Sequence, residues 1–272
     1  MNKPRAKKYF GQNFLVDRNM QDKIVRLANL KGHETVLEIG PGTGALTRHL
    51  IKQAKQVIAY EIDRDLIPHL EEEFGPQGLV LIAEDVLKRD IDEDLLTIDP
   101  TLEEAIVVAN LPYYITTPIL FKLLETSHIV QTIIVMVQHE VAMRLTAPTK
   151  TKDYNALSVA VQYRAHTEYS FKVPRGVFQP VPGVDSAMVT LSLKKDRALS
   201  LEEEPLFFDL IKQAFAQRRK TLTNNLTQMY PFEKQEFFDF FDSRGLPHDV
   251  RAEALKVEDF VELCRYLGQR WP

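Results

Sequence analysis

Thr35-Val36-Leu37-Glu38-Ile39-Gly40-Pro41-Gly42-Thr43-Gly44 begins as a short β-rich run and ends in three glycines. Leu46, Leu50, Ile51 and Ala54 follow at helical spacing. A strand, a glycine turn and a helix in that order form the nucleotide-binding opening of an α/β fold. Glycine suits the turn because it takes up positive φ and lets the backbone approach a ligand closely. The next apolar run, Val57-Ile58-Ala59-Tyr60, ends in Glu61, 21 residues after Gly40. A carboxylate at that place can accept both ribose hydroxyls. Gly40-x-Gly42-x-x-Ala45 is also a permitted variant of the nicotinamide fingerprint, so the turn indicates a nucleoside cofactor without choosing between kinds.

Further strands extend the pattern. Leu79-Val80-Leu81-Ile82-Ala83 ends in Glu84-Asp85, and Ala105-Ile106-Val107-Val108 runs into Ala109-Asn110-Leu111-Pro112-Tyr113-Tyr114. In a parallel sheet these strand ends share one edge, where ligands bind. Gly40, Glu61, Asp85 and Asn110 therefore converge on one place. Residues 131–137, 165–173 and 187–193 read as three more strands, the last two as a hairpin-like pair. Between them, Pro180 and Pro182 stiffen a loop that holds Phe178. Upstream of the glycine turn, Tyr9-Phe10-Gly11-Gln12-Asn13-Phe14-Leu15 is too apolar to be left in water and either packs on the core or covers a ligand. Asp17 is placed to cap the helix after it, which carries Met20, Ile24 and Leu27, and Asp63 to cap the helix running through Glu71-Glu72-Glu73. After Lys195 the β-rich runs stop. Residues 206–215, 234–241 and 258–267 read as helices, broken by Pro231 and Gly245-Leu246-Pro247. The expected division is an α/β domain over 1–195 and a small all-helical domain over 196–272.

Composition narrows the function. The chain of 272 residues is 44% apolar, enough for a sizeable core. A single cysteine, Cys264, excludes an internal disulfide and a cysteine-built metal site, and suits a reducing cytosol. It reads as a small buried hydrophobe. The seven histidines lack ligand-like spacing, so no metal is expected. The basic start, Met1 to Lys8, is not followed by the apolar segment of a secretory signal, and no run reaches membrane-spanning length. A cytoplasmic protein without a membrane partner is the expectation. The net charge of −4 argues weakly against a nucleic-acid partner, but its distribution is polarised. Residues 61–104 hold 15 acids against 3 bases, whereas residues 141–195 hold 8 bases against 3 acids. With the basic tail and Arg218-Arg219-Lys220, one face can bind phosphates, or the bases form a solvated surface.

The stretch after the fourth strand indicates the chemistry. An amide oxygen at Asn110 and the Leu111 carbonyl held by Pro112 are two acceptors for one exocyclic amine. They draw its protons out of the ring plane and free the nitrogen lone pair for attack. An aromatic amine such as adenine N6 needs this help to be methylated. Tyr113 can stack on an unstacked base.

These motifs resemble the ribosomal RNA adenine dimethyltransferase family, in the type that acts on the small subunit, and the match runs over nearly the whole chain. Phe10-Gly11-Gln12-Asn13-Phe14-Leu15 is similar to its N-terminal cofactor motif and Glu38-Ile39-Gly40-Pro41-Gly42-Thr43-Gly44 to its S-adenosylmethionine loop. Asn110-Leu111-Pro112-Tyr113 looks like its amino-methyltransferase motif, and Phe178-x-Pro180-x-Pro182-x-Val184-Asp185-Ser186 like its target-base loop. Phe215-Ala216-Gln217-Arg218-Arg219-Lys220-Thr221-Leu222 and Arg251-Ala252-Glu253 resemble its helical domain. His139 stands where the family pattern leads one to expect Lys or Arg.

The resemblance implies a Rossmann-like S-adenosylmethionine-dependent catalytic domain with a mostly parallel seven-stranded sheet, and a helical domain for rRNA recognition. It implies that Asn13, Leu15, Gly40, Glu61, Asp85 and Asn110 bind S-adenosylmethionine. Asn110, Leu111, Pro112 and Tyr113 would form the catalytic centre. Tyr113 and Phe178 would hold the target base, and Arg218, Arg219 and Lys220 the RNA. The implied reaction is dimethylation of N6 on two adjacent adenosines in the 3′-terminal hairpin loop of 16S rRNA, within an immature small subunit, by a monomer. Competing readings are a large-subunit methyltransferase of the macrolide-resistance type, a non-catalytic assembly factor and a nicotinamide oxidoreductase. The double-proline loop and Arg218-Arg219-Lys220 favour the small-subunit enzyme over the first. The intact glycine turn and Asn110-Leu111-Pro112-Tyr113 disfavour the second. Asn110-x-Pro112-Tyr113 disfavours the third.

Overall fold

The computed structural model describes residues 6–270, so Lys3 and Arg5 of the basic tail lie outside the described residues. The chain divides into two compact units: Met1–Ala142 with Ala165–Leu193, and Met143–Arg164 with Lys194–Pro272.

Among the described residues, the first unit holds nine strands: β1 Phe14–Leu15, β2 Thr35–Ile39, β3 Gln56–Tyr60, β4 Leu79–Ile82, β5 Ala105–Asn110, β6 Val130–Gln138, β7 Ala165–Val173, β8 Phe178–Gln179 and β9 Ser186–Leu193. Seven form one sheet in the order β4-β3-β2-β5-β6-β9-β7. The strands from β4 across to β6 run parallel, and β9 lies antiparallel between β6 and β7. The helices of this unit are α1 Arg18–Leu27, α2 Thr47–Leu50, α3 Ile67–Phe74, α4 Ile91–Ile98 and α5 Thr116–Thr126. A parallel strand covered on both faces is buried along its length and mostly apolar. Accordingly all five residues of β2 are buried. Asp17 caps α1, its side chain accepting from the Met20 N–H at 2.8 Å.

Order in the sheet reverses at β2, which has β3 on one side and β5 on the other. That switch point opens a crevice beyond the strand ends. The glycine turn leaves β2 there. Gly44 has φ +74, and a Cβ on it would stand 2.1 Å from a ring carbon of Phe74, so only glycine lets the turn close on α3.

β1 and β8 form a separate two-stranded sheet, with Leu15 paired to Phe178. Two-residue strands carry too little pattern to be read from sequence. This pairing ties the N-terminal segment to the double-proline loop.

The division of the chain differs from the single cut expected near residue 196. After α6, His139–Leu145, the chain joins the second unit over Met143–Arg164 and returns at Ala165. The reason is packing by α7, Ala156–Arg164. Its Tyr163 ring lies 4.4 Å from that of Phe207 on α8, Glu204–Ala214, and Arg164 meets the buried Glu204 at 2.5 Å. A buried charge is tolerated only when paired. The other helices of this unit are α9 Leu222–Leu226, α10 Lys234–Ser243 and α11 Val257–Gly268. Cys264 is buried on α11, and burial pushes its thiol up to about 12.

Candidate active site

At the switch point the strand ends and the N-terminal segment enclose a cavity of about 490 Å³. Asn13, Leu15, Gly40, Glu61, Asp85, Asn110, Leu111, Pro112 and Tyr113 all line it. Nine residues from five separated stretches thus meet in one place.

Glu61 is 5% exposed. Its Oε2 accepts from the Gly42 N–H at 3.0 Å and its Oε1 from the Asp63 N–H at 2.9 Å. Burial pushes its carboxyl up, and these N–H groups oppose the shift. Each carboxylate oxygen has two lone-pair sites, so both can still accept from a ligand. Gly40 has φ +70 and open space where a Cβ would point, whereas a Cβ on Gly42 would meet the Phe14 ring at 3.3 Å. The turn therefore offers a ligand room at Gly40 and is roofed at Gly42.

Asp85 follows β4 and caps the short turn Val86–Lys88, its Oδ1 accepting from the Leu87 N–H at 3.0 Å. The segment after it is anchored on Asp94, which accepts from the Tyr60 hydroxyl at 2.7 Å and the Arg89 Nε at 3.0 Å. Burial and the Asp94 carboxylate push the Tyr60 hydroxyl far above its usual range, so it stays protonated and donates.

Asn110 ends β5. Its amide nitrogen donates to the Asn13 carbonyl at 3.3 Å, and the Asn13 side chain donates to the Gly11 carbonyl at 3.1 Å. With the nitrogen committed, the Asn110 oxygen is the atom available as an acceptor. The Leu111 N–H is spent on the Met136 carbonyl at 3.3 Å, and Pro112 has none. Asn110, Leu111 and Pro112 all line the cavity, and the first two N–H positions after Asn110 offer it no donor, one engaged and one absent. The Tyr113 hydroxyl lies 2.6 Å from that of Ser186, and burial raises its pKa.

The N-terminal segment forms one wall: Tyr9 through Leu15 line the cavity. It is held at Asp63, which is 1% exposed and accepts from the Lys7 ammonium at 2.5 Å and the Gln12 amide at 2.8 Å. This corrects the reading of Asp63 as a helix cap. α3 starts at Ile67, and its N-cap position, Leu66, makes no side-chain cap bond.

Phe178 is not brought to the cavity. It is 2% exposed, pairs through β8 with Leu15 and belongs to the apolar core with Phe74 and Met188. The reason is its neighbour strand: β1 draws the start of the loop inward. Arg218, Arg219 and Lys220 lie exposed in the second unit, where Arg218 Nε donates to Glu253 at 3.1 Å.

A charged cavity residue of note was not among the site residues expected from sequence. Glu38, within β2, is 2% exposed, lines the cavity and accepts from the Thr47 hydroxyl at 2.7 Å. Burial pushes its carboxyl up to about 8; Thr47 opposes the shift and nearby Glu61 adds to it. An acid inside an otherwise apolar strand was the signal.

The glycine cradle, the Glu61 acceptors and the Asp85 carboxylate suit a nucleoside with an amino-bearing base, and the Asn110 and Leu111 oxygens suit a second amine. A seven-stranded sheet of this order with such a site defines a Rossmann-like methyltransferase. The chain belongs to the ribosomal RNA adenine dimethylase family, whose model matches residues 3–269. It is an rRNA adenine dimethyltransferase. Relatives named ribosomal RNA small subunit methyltransferase A include those of Bacillus pumilus, 43% identical, and Bacillus cereus strain AH187, 44% identical, each over 96% of this chain and 91% of the relative. Among solved structures, a dimethyladenosine transferase from Plasmodium falciparum is 26% identical with a TM-score of 0.78, over 94% of this chain and 98% of that one. The 23S rRNA methyltransferase ErmE is 28% identical with a TM-score of 0.72, over 94% and 100%. Among the described residues, no helix is long and apolar enough to cross a membrane.

Proposed function

We propose that this enzyme uses S-adenosylmethionine to dimethylate N6 of two adjacent adenosines in the 3′-terminal hairpin loop of 16S rRNA. It acts as a cytoplasmic monomer on a partly assembled small subunit and thereby contributes to subunit biogenesis. The observation that carries the reading is the acceptor pair after β5: an Asn110 amide whose nitrogen is engaged by Asn13, next to a Leu111 carbonyl followed by proline. The likeness to relatives named for the small subunit, at 43% and 44% identity, supports that subunit over the large one.

S-Adenosylmethionine supplies an electrophilic methyl group on a sulfonium. Glu61 would accept its ribose hydroxyls and Asp85 its adenine amine. Gly40 would leave room for its amino-acid portion, and Asn13 and Leu15 would close over it. Tyr113 would stack on the extruded target adenine. The Asn110 oxygen and Leu111 carbonyl would accept from N6, pull its protons out of plane and stabilise positive charge as it builds on that nitrogen. No strong base is needed before attack, because the proton becomes acidic only after transfer. Phe178, buried in the core, would anchor the double-proline loop rather than touch the base. Arg218, Arg219 and Lys220 would contact RNA phosphates.

Asn110→Ala removes the first acceptor. It is expected to lower methylation of unmethylated small subunits by about a hundredfold or more, the scale of one preorganised hydrogen-bonding group in a transition state. S-Adenosylmethionine binding by calorimetry should fall far less than methylation, because Asn110 is one of six residues assigned to the cofactor. Near-normal methylation by this variant would refute the mechanism. Digest mapping of the product RNA checks the substrate: dimethyladenosine in the large subunit instead would favour the activity of which ErmE is an example.

A further inference from the structure

We propose that Ser186 is a positioning residue, whose hydroxyl holds the far end of the Tyr113 ring and so fixes the ring where the target base must meet it. The proposal rests on the reading of Tyr113 as the stacking platform. The two hydroxyl oxygens lie 2.6 Å apart. Ser186 is fully buried, at 0% exposure, whereas Tyr113 is only partly covered and faces the cavity. One partner is thus rigid and the other has room to swing.

Ser186 owes its rigidity to its place. It is the first residue of β9 and pairs with Gln138 of β6 on one side and Val173 of β7 on the other. The residue before it is stapled as well. The Asp185 carboxylate meets the Lys172 ammonium at 2.8 Å and accepts from the Arg175 N–H at 2.9 Å, and its carbonyl accepts from the His139 N–H at 3.0 Å. The double-proline loop therefore delivers a hydroxyl, rather than Phe178, to the site.

Tyr113 needs such a lock. It follows Pro112, opens the short turn Tyr113–Ile115 and lines the cavity while only half-buried. Packing alone limits an aromatic ring on a half-open wall less than a hydrogen bond at its far end does. A ring fixed before the base arrives spares the ordering cost at the moment of reaction, and small misplacements are costly in rate.

The test combines Ser186→Ala, Tyr113→Phe and the double variant, assayed on unmethylated small subunits. Each single change should lower kcat about five- to tenfold, the scale of one hydrogen bond. S-Adenosylmethionine affinity should stay within about twofold, because neither atom is assigned to that ligand. The double variant should be no slower than either single one, since both remove the same bond. Thermal midpoints establish that each variant folds, and Tyr113→Phe leaves β9 untouched should Ser186→Ala fold poorly. Unchanged kcat in Tyr113→Phe, or additive losses in the double variant, would overturn the lock. Tyr113→Ala separates the two readings. Wild-type methylation by it removes the stacking role itself, whereas loss there with a fully active Ser186→Ala removes only the lock.

Discussion

Glu38 and Glu61 are two buried acids at the floor of one cavity, and they behave differently because their partners differ. Glu61 has two backbone N–H donors, whereas Glu38 has the Thr47 hydroxyl as its side-chain donor. Burial carries Glu38 from an ordinary value of 4.5 up to about 8. Between those values the folded protein holds a proton that the unfolded chain has released. Stability of the ligand-free protein should therefore fall as pH rises from 4.5 towards 8. Glu38→Gln keeps an acceptor for Thr47 and removes the charge, so it should flatten this part of the profile in urea titrations at successive pH values. A slope equal to wild type would show that Glu38 does not hold the proton. At this scale much was legible, because the expected cofactor residues sit at strand ends, where position follows from pattern. Phe178 was misplaced because burial of a loop residue depends on what packs over it.

The N-terminal strap is the element whose arrangement matters most for the cofactor. Its residues line the cavity, and besides the β1–β8 pairing at its far end it is attached through Lys7 and Gln12 on Asp63. Burial pushes the Asp63 carboxyl up, but the Lys7 ammonium, the Gln12 amide and the Asp65 N–H outweigh it and hold the pKa below its usual value of 3.8. A depressed carboxyl stabilises the fold above its unfolded pKa, and that contribution is lost as pH falls through the lower folded value. The attachment should accordingly persist at neutral pH and fail only in acid below about 3.8. Lys7→Met should weaken S-adenosylmethionine binding by about three- to tenfold, chiefly through faster dissociation. Stopped-flow release measures this, and an unchanged off-rate would mean that the strap is held by its apolar residues alone. The strands and their order of appearance were legible because apolar runs buried on both faces announce themselves. The β1–β8 pair was not, because pairing between two-residue segments far apart in sequence leaves no local pattern.

For the whole molecule, charge decides what composition left open. The net charge is −4, but acids crowd residues 61–104 and bases residues 141–195. In the second unit Arg218, Arg219 and Lys220 are exposed, and surface pairing such as that of Arg218 with Glu253 holds a cation only weakly. Replacing all three with alanine should weaken subunit binding and reduce its dependence on the logarithm of salt concentration by about two to three, near one per lost phosphate contact. Equal affinity and slope would return these residues to the solvated surface. The division into units was only half legible. The change of character after Lys195 marks the helical part, but residues 143–164 belong with it through Tyr163 and Arg164, contacts that no local pattern encodes.

By itself the sequence determined the α/β class, the run of strands and glycine turn, and the motif at Asn110, because each rests on local periodicity or on residues adjacent in the chain. The tertiary structure decided which groups face one another: Asn110 against the Asn13 carbonyl, Lys7 on Asp63, Ser186 on Tyr113, and Phe178 in the core. Those pairs are 97, 56 and 73 residues apart for the three contacts. Contacts over such separations follow from sheet order and register, which arise only when the whole chain packs.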